Sequence, residues 1–124
     1  MKYIDSNIFA YAFYINPFQE RCQQCILAGG MTSSLALIEA FNIIEMQSSK
    51  EYAIKAVKSI LKSSISVISI DVNVVFEALK RREKYDTLKF IDLIHYTIAL
   101  LQNCESIVTY DKDFDELDIK REEP

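Results

Sequence analysis

Glycine and proline are almost missing from these 124 residues, with two of each. That scarcity excludes collagen-like, linker-rich and low-complexity architectures, and no internal repeat replaces them. Tryptophan is absent and histidine occurs once, at His95, so clustered imidazoles cannot build a histidine-rich zinc site. Cysteine is present only at Cys22, Cys25 and Cys104, an odd number in a chain with no secretory signal. This predicts a reducing compartment, the cytoplasm. Cys22 and Cys25 have the spacing of half a zinc site, but no second pair completes it. No apolar run approaches the ~20 residues of a membrane span, which predicts no membrane partner. Positive charge is in deficit as well: 14 Lys and Arg against 18 Asp and Glu leave a net charge of −4. That sign argues against a simple electrostatic nucleic-acid binder, unless bound divalent cations neutralise part of it.

What remains is a chain half hydrophobic, long enough for one domain over residues 1–124 with a core that needs no disulfide staples. Residues 3–5 read as a short buried strand and 6–14 as a helix. Asn16 and Pro17 open a second helix that stops at Gly29 and Gly30. A very short strand at 31–33 follows, then Ser34 caps a helix over 35–47 with the apolar row Leu37, Phe41 and Ile44. Residues 50–62 form an amphipathic helix with Tyr52, Ala53, Ala56, Val57, Ile60 and Leu61 inward. The β-branched stretch 65–70 is a strand, and Asp71 caps a helix carrying Val72, Val75, Phe76 and Leu79. The most apolar helix spans 88–103, with a core row of Ile91, Ile94, Ile98 and Leu101. Beside that row lies a stripe of Asp92, His95, Tyr96 and Ala99. A strand at 105–109, an acid-rich turn at 110–116 and an edge strand at 117–120 close the chain. Strands alternating with helices predict α/β architecture, a three-layer α/β/α sandwich around a mainly parallel sheet.

Four acids stand inside or beside these apolar elements, where an unpaired carboxylate is costly: Asp5, Glu39, Asp92 and Asp111. Asp5 and Asp111 both follow strands, at the carboxyl edge where open α/β sheets form their ligand crevice. Asp5 is equally well placed to cap the helix after it. Carboxylates gathered without histidine clusters are hard oxygen donors suited to Mg²⁺ or Mn²⁺. Two such ions held about 4 Å apart are suited to in-line phosphodiester hydrolysis. Crowded acids also predict at least one carboxyl with a raised pKa. Lys80, Arg81, Arg82 and Lys84 form a basic run that can meet RNA phosphates or simply end a solvated helix. His95 reads as a hydrogen-bonded helix residue rather than a general base. Asp113 fits either a turn cap or an outer ligand, and Asp115 a helix-dipole partner.

Four segments together resemble the PIN domain, especially the small toxin ribonucleases of VapC type. They are Asp5-Ser6-Asn7, Ser33-Ser34-Leu35 leading to Glu39, Asp92-Leu93-Ile94-His95, and Thr109 to Phe114. The resemblance implies a metal-dependent endoribonuclease acting on single-stranded or structured RNA. By matched position it implies Asp5, Glu39, Asp92 and Asp111 as the catalytic, metal-binding carboxylates, with Asn7 and Thr109 as polar support; Asp113 joins the metal set as the next acid in the turn. It also implies an antitoxin protein and a second copy of the chain as partners. The alternative is a PIN-shaped protein- or RNA-binding module that keeps the fold without turnover.

Overall fold

The computed structural model describes residues 1–124. Its strands are β1 (Lys2–Ile4), β2 (Met31–Ser33), β3 (Ser66–Ile68), β4 (Ser106–Val108) and β5 (Lys120–Glu122). The helices are α1 (Ser6–Tyr11), α2 (Gln19–Leu27), α3 (Ser34–Gln47), α4 (Lys50–Leu61), α5 (Val72–Arg82) and α6 (Phe90–Leu101), with a 3₁₀ turn at Lys112–Glu116. The sheet runs β3-β2-β1-β4-β5, and every neighbouring pair is parallel.

Side-chain alternation along the strands divides the apolar residues into two cores. Tyr3 of β1 and Ile107 of β4, which pair in register, enter one core with Val74 and Ala78 of α5 and Leu93, Ile98 and Ala99 of α6. Ile4 and Val108, also paired, enter the other with α1, α3 and α4 through Ile8, Phe9, Leu37, Ile44, Ala53 and Ile60. A sheet buried on both faces between helix layers is the three-layer sandwich expected for parallel strands this short.

Several element boundaries differ from the sequence expectation, each for a local reason. Ser33, not Ser34, caps α3: its Oγ accepts from the Ala36 N–H at 3.3 Å. The Ser34 hydroxyl instead accepts from the Ile70 N–H at 3.2 Å, tying the segment after β3 to α3. Helix α1 ends at Tyr11, because the Asn16 amide donates to the Tyr11 and Tyr14 carbonyls and turns the chain. Asn16 Oδ1 also accepts from the Phe18 N–H, so α2 begins only at Gln19. Helix α2 does stop at the glycine pair, where Gly29 has φ +88°. A Cβ on Gly30 would stand 3.0 Å from the Lys2 carbonyl oxygen. Strand β5 falls later than 117–120, because Leu117 closes the 3₁₀ turn through its N–H to the Phe114 carbonyl.

The apolar rows also need correction. Ile91 and Leu101 of α6 are exposed, as are Tyr52 and Leu61 of α4. Ile94 and Ile98 of that row are core as expected, and helix α6 buries the neighbouring stripe, Asp92, His95, Tyr96 and Ala99, as well. Helix α5 packs through the smaller Val74 and Ala78, leaving Val72, Phe76 and Leu79 on its outer face. Asp71 does cap α5, accepting from the Val74 N–H at 3.0 Å. No helix is long and apolar enough to cross a membrane.

Candidate metal centre

The strand order reverses direction at β1, between β2 and β4. Such a reversal opens a crevice beyond the carboxyl ends of the strands, and Asp5 is the first residue after β1. Its N–H donates to the Val108 carbonyl, extending the β1–β4 pairing by one residue. One carboxylate oxygen accepts from the Ser6 N–H at 2.7 Å, so Asp5 does cap α1. The other accepts from Thr109 Oγ1 at 2.8 Å and from the Asn7 amide at 3.3 Å. Asn7 and Thr109 also bond each other at 2.9 Å, and Thr109 Oγ1 accepts from the Asp111 N–H at 3.0 Å. These two polar side chains therefore fasten Asp5 to the strand end that presents Asp111.

Helices α3 and α6 supply the opposite wall. Asp92 and His95 are three apart on α6 and share a face. The imidazole is fully buried, with Nε2 2.7 Å from Glu39 Oε1 and 3.7 Å from Asp5 Oδ1. Burial works to discharge His95, but the hydrogen bond to Glu39 and the negative charges of Asp5, Glu39 and Asp92 outweigh it and raise its pKa. Nδ1 lies 2.6 Å from the Tyr3 hydroxyl, which lies 2.8 Å from Ser33 Oγ. Tyr3 is a neighbour that sequence reasoning missed, and Ser33 entered it only as part of the segment leading to Glu39, not as the partner of Tyr3. The one available signal was a polar-tipped ring in the centre of a buried strand.

Asp92 is 8% exposed, and its Oδ2 has no hydrogen-bond partner. Burial, then the charges of Asp111 and Asp5, push its pKa up to about 6. The donors fall into two groups, Asp5 with Glu39 and His95, and Asp92 with Asp111 and Asp113. Within each group one donor atom per residue lies within 4.8 Å of the others. A buried carboxylate oxygen without a donor, beside further acids, is the arrangement a divalent cation would satisfy, so these residues fit one.

Asp111 also acts as a cap, since its Oδ1 accepts from the Asp113 N–H at 2.9 Å at the start of the 3₁₀ turn. Of the two roles open to Asp113, the turn cap is thus taken by Asp111. The Asp115 carboxylate pairs with Arg121 at 2.8 Å and joins neither donor group. The basic run ends α5, and its members are engaged unequally. The Arg82 guanidinium donates to the carbonyls of Tyr85, Asp86 and Leu88. Arg81 is half-buried on Glu77 and over the Tyr96 ring. Lys80 pairs with Glu77, and Lys84 lies over the Tyr85 ring; both are exposed.

Three solved structures share this architecture. VapC20 of Mycobacterium tuberculosis, described as a sarcin-ricin loop cleaving toxin, superposes with a TM-score of 0.83 at 14% identity, covering 96% of each chain. A chain of a toxin-antitoxin complex from Klebsiella pneumoniae gives 0.72 at 18% identity, over 95% of this chain and 93% of that one. VapBC2 from Rickettsia felis, bound to a DNA fragment from their promoter, gives 0.74 at 19% identity, over 99% and 98%. At these identities the likeness is one of fold. Among curated protein sequences none matches the chain. The family model described as PIN domain matches residues 2–120. With the sheet, the crevice and its acids in place, a match that runs from β1 into β5 settles the family: the chain belongs to the PIN domain family.

Proposed function

We propose that residues 1–124 act as one metal-dependent endoribonuclease domain that hydrolyses RNA phosphodiester bonds, as the toxin of a toxin-antitoxin pair. The observation that carries this reading is the unpartnered, buried Asp92 carboxylate facing Asp111 and Asp5 in the crevice of a PIN fold. Asp5, Glu39, Asp92, Asp111 and Asp113 would hold Mg²⁺ or Mn²⁺. A divalent cation, when bound, supplies Lewis-acid stabilisation of the scissile phosphate and acidifies the attacking water. The chain's own residues prepare that chemistry. Asn7 and Thr109 hold Asp5 in one rotamer, and Asp111 is fixed by its backbone to the same hydroxyl. Asp92 is buried, so its charge is poorly solvated until a cation arrives. Lys80 and Lys84 are the members of the basic run whose ammonium groups can reach flanking phosphates.

Two protein partners follow from this reading. An antitoxin protein suits a fold shared with chains solved in toxin-antitoxin complexes. A second copy of the chain suits the outer face of α5, where apolar Val72, Phe76 and Leu79 stand exposed, a surface that can pair with itself about a two-fold axis. Three free cysteines fit a cytoplasmic location.

The test is cleavage of a defined RNA by the purified protein. Products should form with Mg²⁺ or Mn²⁺, stop with a chelator, and be lost in Asp92→Asn. RNA binding without cleavage under any divalent ion would make the chain a binding module instead.

A further inference from the structure

The buried chain from Ser33 through Tyr3 to His95 has no part in an all-oxygen cation site. We infer that His95 is itself a metal ligand, and that its Nε2 with Asp5 and Glu39 forms a mixed nitrogen and oxygen position that takes Mn²⁺ in preference to Mg²⁺. The inference rests on the metal-dependent reading above and names the ion that this position favours.

Three observations converge on it. First, the Nε2 atom is aimed at carboxylates rather than at backbone carbonyls: Glu39 Oε1 is 2.7 Å away and Asp5 Oδ1 3.7 Å. The donor atoms of all three side chains lie within 4.8 Å of one another, close enough to share one ion. Second, the ring has the outer support that ligating histidines use, a fixed hydrogen-bond partner on the other nitrogen. Nδ1 is 2.6 Å from the Tyr3 hydroxyl, and Tyr3 is 2.8 Å from Ser33 Oγ. The Tyr3 hydroxyl can accept from Nδ1–H and donate onward to Ser33 Oγ. A cation at this position would displace the proton that Nε2 shares with Glu39, while the other ring proton stays on Nδ1 against Tyr3. Third, Ser33 also caps α3, the helix that carries Glu39. One hydroxyl thus sets both the register of the Glu39 helix and the support of the imidazole.

The chemistry of the set decides the ion. Imidazole nitrogen favours first-row transition ions, whereas Mg²⁺ prefers oxygen and retains its waters. The Asp92, Asp111 and Asp113 group offers only oxygen and makes no such distinction.

The experiment adds Mn²⁺ to the metal-free protein without RNA and records its pulsed electron paramagnetic resonance. His95 is the only histidine, so isotope-labelled histidine assigns any nitrogen coupling without ambiguity. Coupling to a directly bound histidine nitrogen is expected in the native protein. It should vanish in His95→Gln, where the preference for Mn²⁺ over Mg²⁺ falls at least about tenfold; Tyr3→Phe should keep the coupling but weaken Mn²⁺ about tenfold. Bound Mn²⁺ without histidine coupling in the native protein overturns the inference, whatever the variants do. If RNA is still cleaved in that case, the nuclease reading stands and only the ligand assignment falls. Histidine-coupled Mn²⁺ with no cleavage of any RNA is the converse, and failure to bind any divalent ion sinks both.

Discussion

Asp92 combines burial, a missing partner and two acidic neighbours, and its pH behaviour follows from all three. Its pKa is about 6 in the folded chain against an ordinary 3.8. The folded state therefore holds a proton that the unfolded state has released, and stability falls as pH rises from about 4 to about 6. His95, raised as well, adds a decline of the same sign at higher pH. We predict that metal-free Asp92→Asn loses the lower part of this slope and, at neutral pH, is more stable than the native protein by on the order of 2 kcal/mol. Denaturant melts across pH check it; a native protein with a flat profile between pH 4 and 6 would refute it. The three aspartates of the turn separate in the same way. Asp111→Asn should lower metal-dependent cleavage at least about 100-fold, Asp113→Asn about tenfold, and Asp115→Asn hardly at all. Asp115 serves only the exposed Arg121 pair, so an inactive Asp115→Asn beside an active Asp111→Asn would refute the order. The acids were legible in the sequence because carboxylates beside apolar runs are costly and therefore conspicuous. The role of Tyr3 and its bond to Ser33 were not, because each is an ordinary residue until a partner distant in sequence arrives.

At the scale of elements, the end of α5 shows how a charge run misleads. Read along the sequence, Lys80, Arg81, Arg82 and Lys84 are equivalent cations. In the fold, Arg82 fastens the α5–α6 connection through three backbone carbonyls, acceptors that no side-chain pattern announces. We predict that Arg82→Gln destabilises the protein by about 2 kcal/mol, since bonds to a charged donor are the stronger ones. Lys80→Gln with Lys84→Gln should leave the melt within about 0.5 kcal/mol, yet weaken RNA binding and flatten its salt dependence. Paired melts and salt titrations check both halves; an unchanged salt slope in the lysine double variant would move the phosphate path elsewhere. Helix existence and order were readable from periodicity and caps. The facing of α5 and α6 was not, because Val74 and Ala78 win the packed side by being small where α6 crosses closely.

At the scale of the whole molecule, the two donor groups draw together side chains from the β1 end, α3, α6 and the segment after β4. A cation there bridges elements that unfold together, so its binding energy appears as stability. We predict that Mn²⁺ at about 100 times its dissociation constant raises unfolding free energy by roughly 2.7 kcal/mol, and that the gain disappears in Asp5→Asn. A native melt indifferent to millimolar Mn²⁺ and Mg²⁺ would mean that the acids crowd together without forming a working centre. The parallel topology was legible from strands alternating with helices. The strand order was not, because it depends on which buried edges meet across long separations.

That order has a consequence for synthesis on the ribosome. Asp5 is held by Thr109, 104 positions away, and β1 finds its β4 neighbour only when Ser106 to Val108 have emerged. Until then the first strand can pair with β2 and the helices can collapse around it, but the crevice has one wall and Asp111 does not yet exist. A nascent chain therefore cannot bring Asp111 up to Asp92, nor fasten Asp5 through Thr109, until β4 and the turn after it have left the exit tunnel.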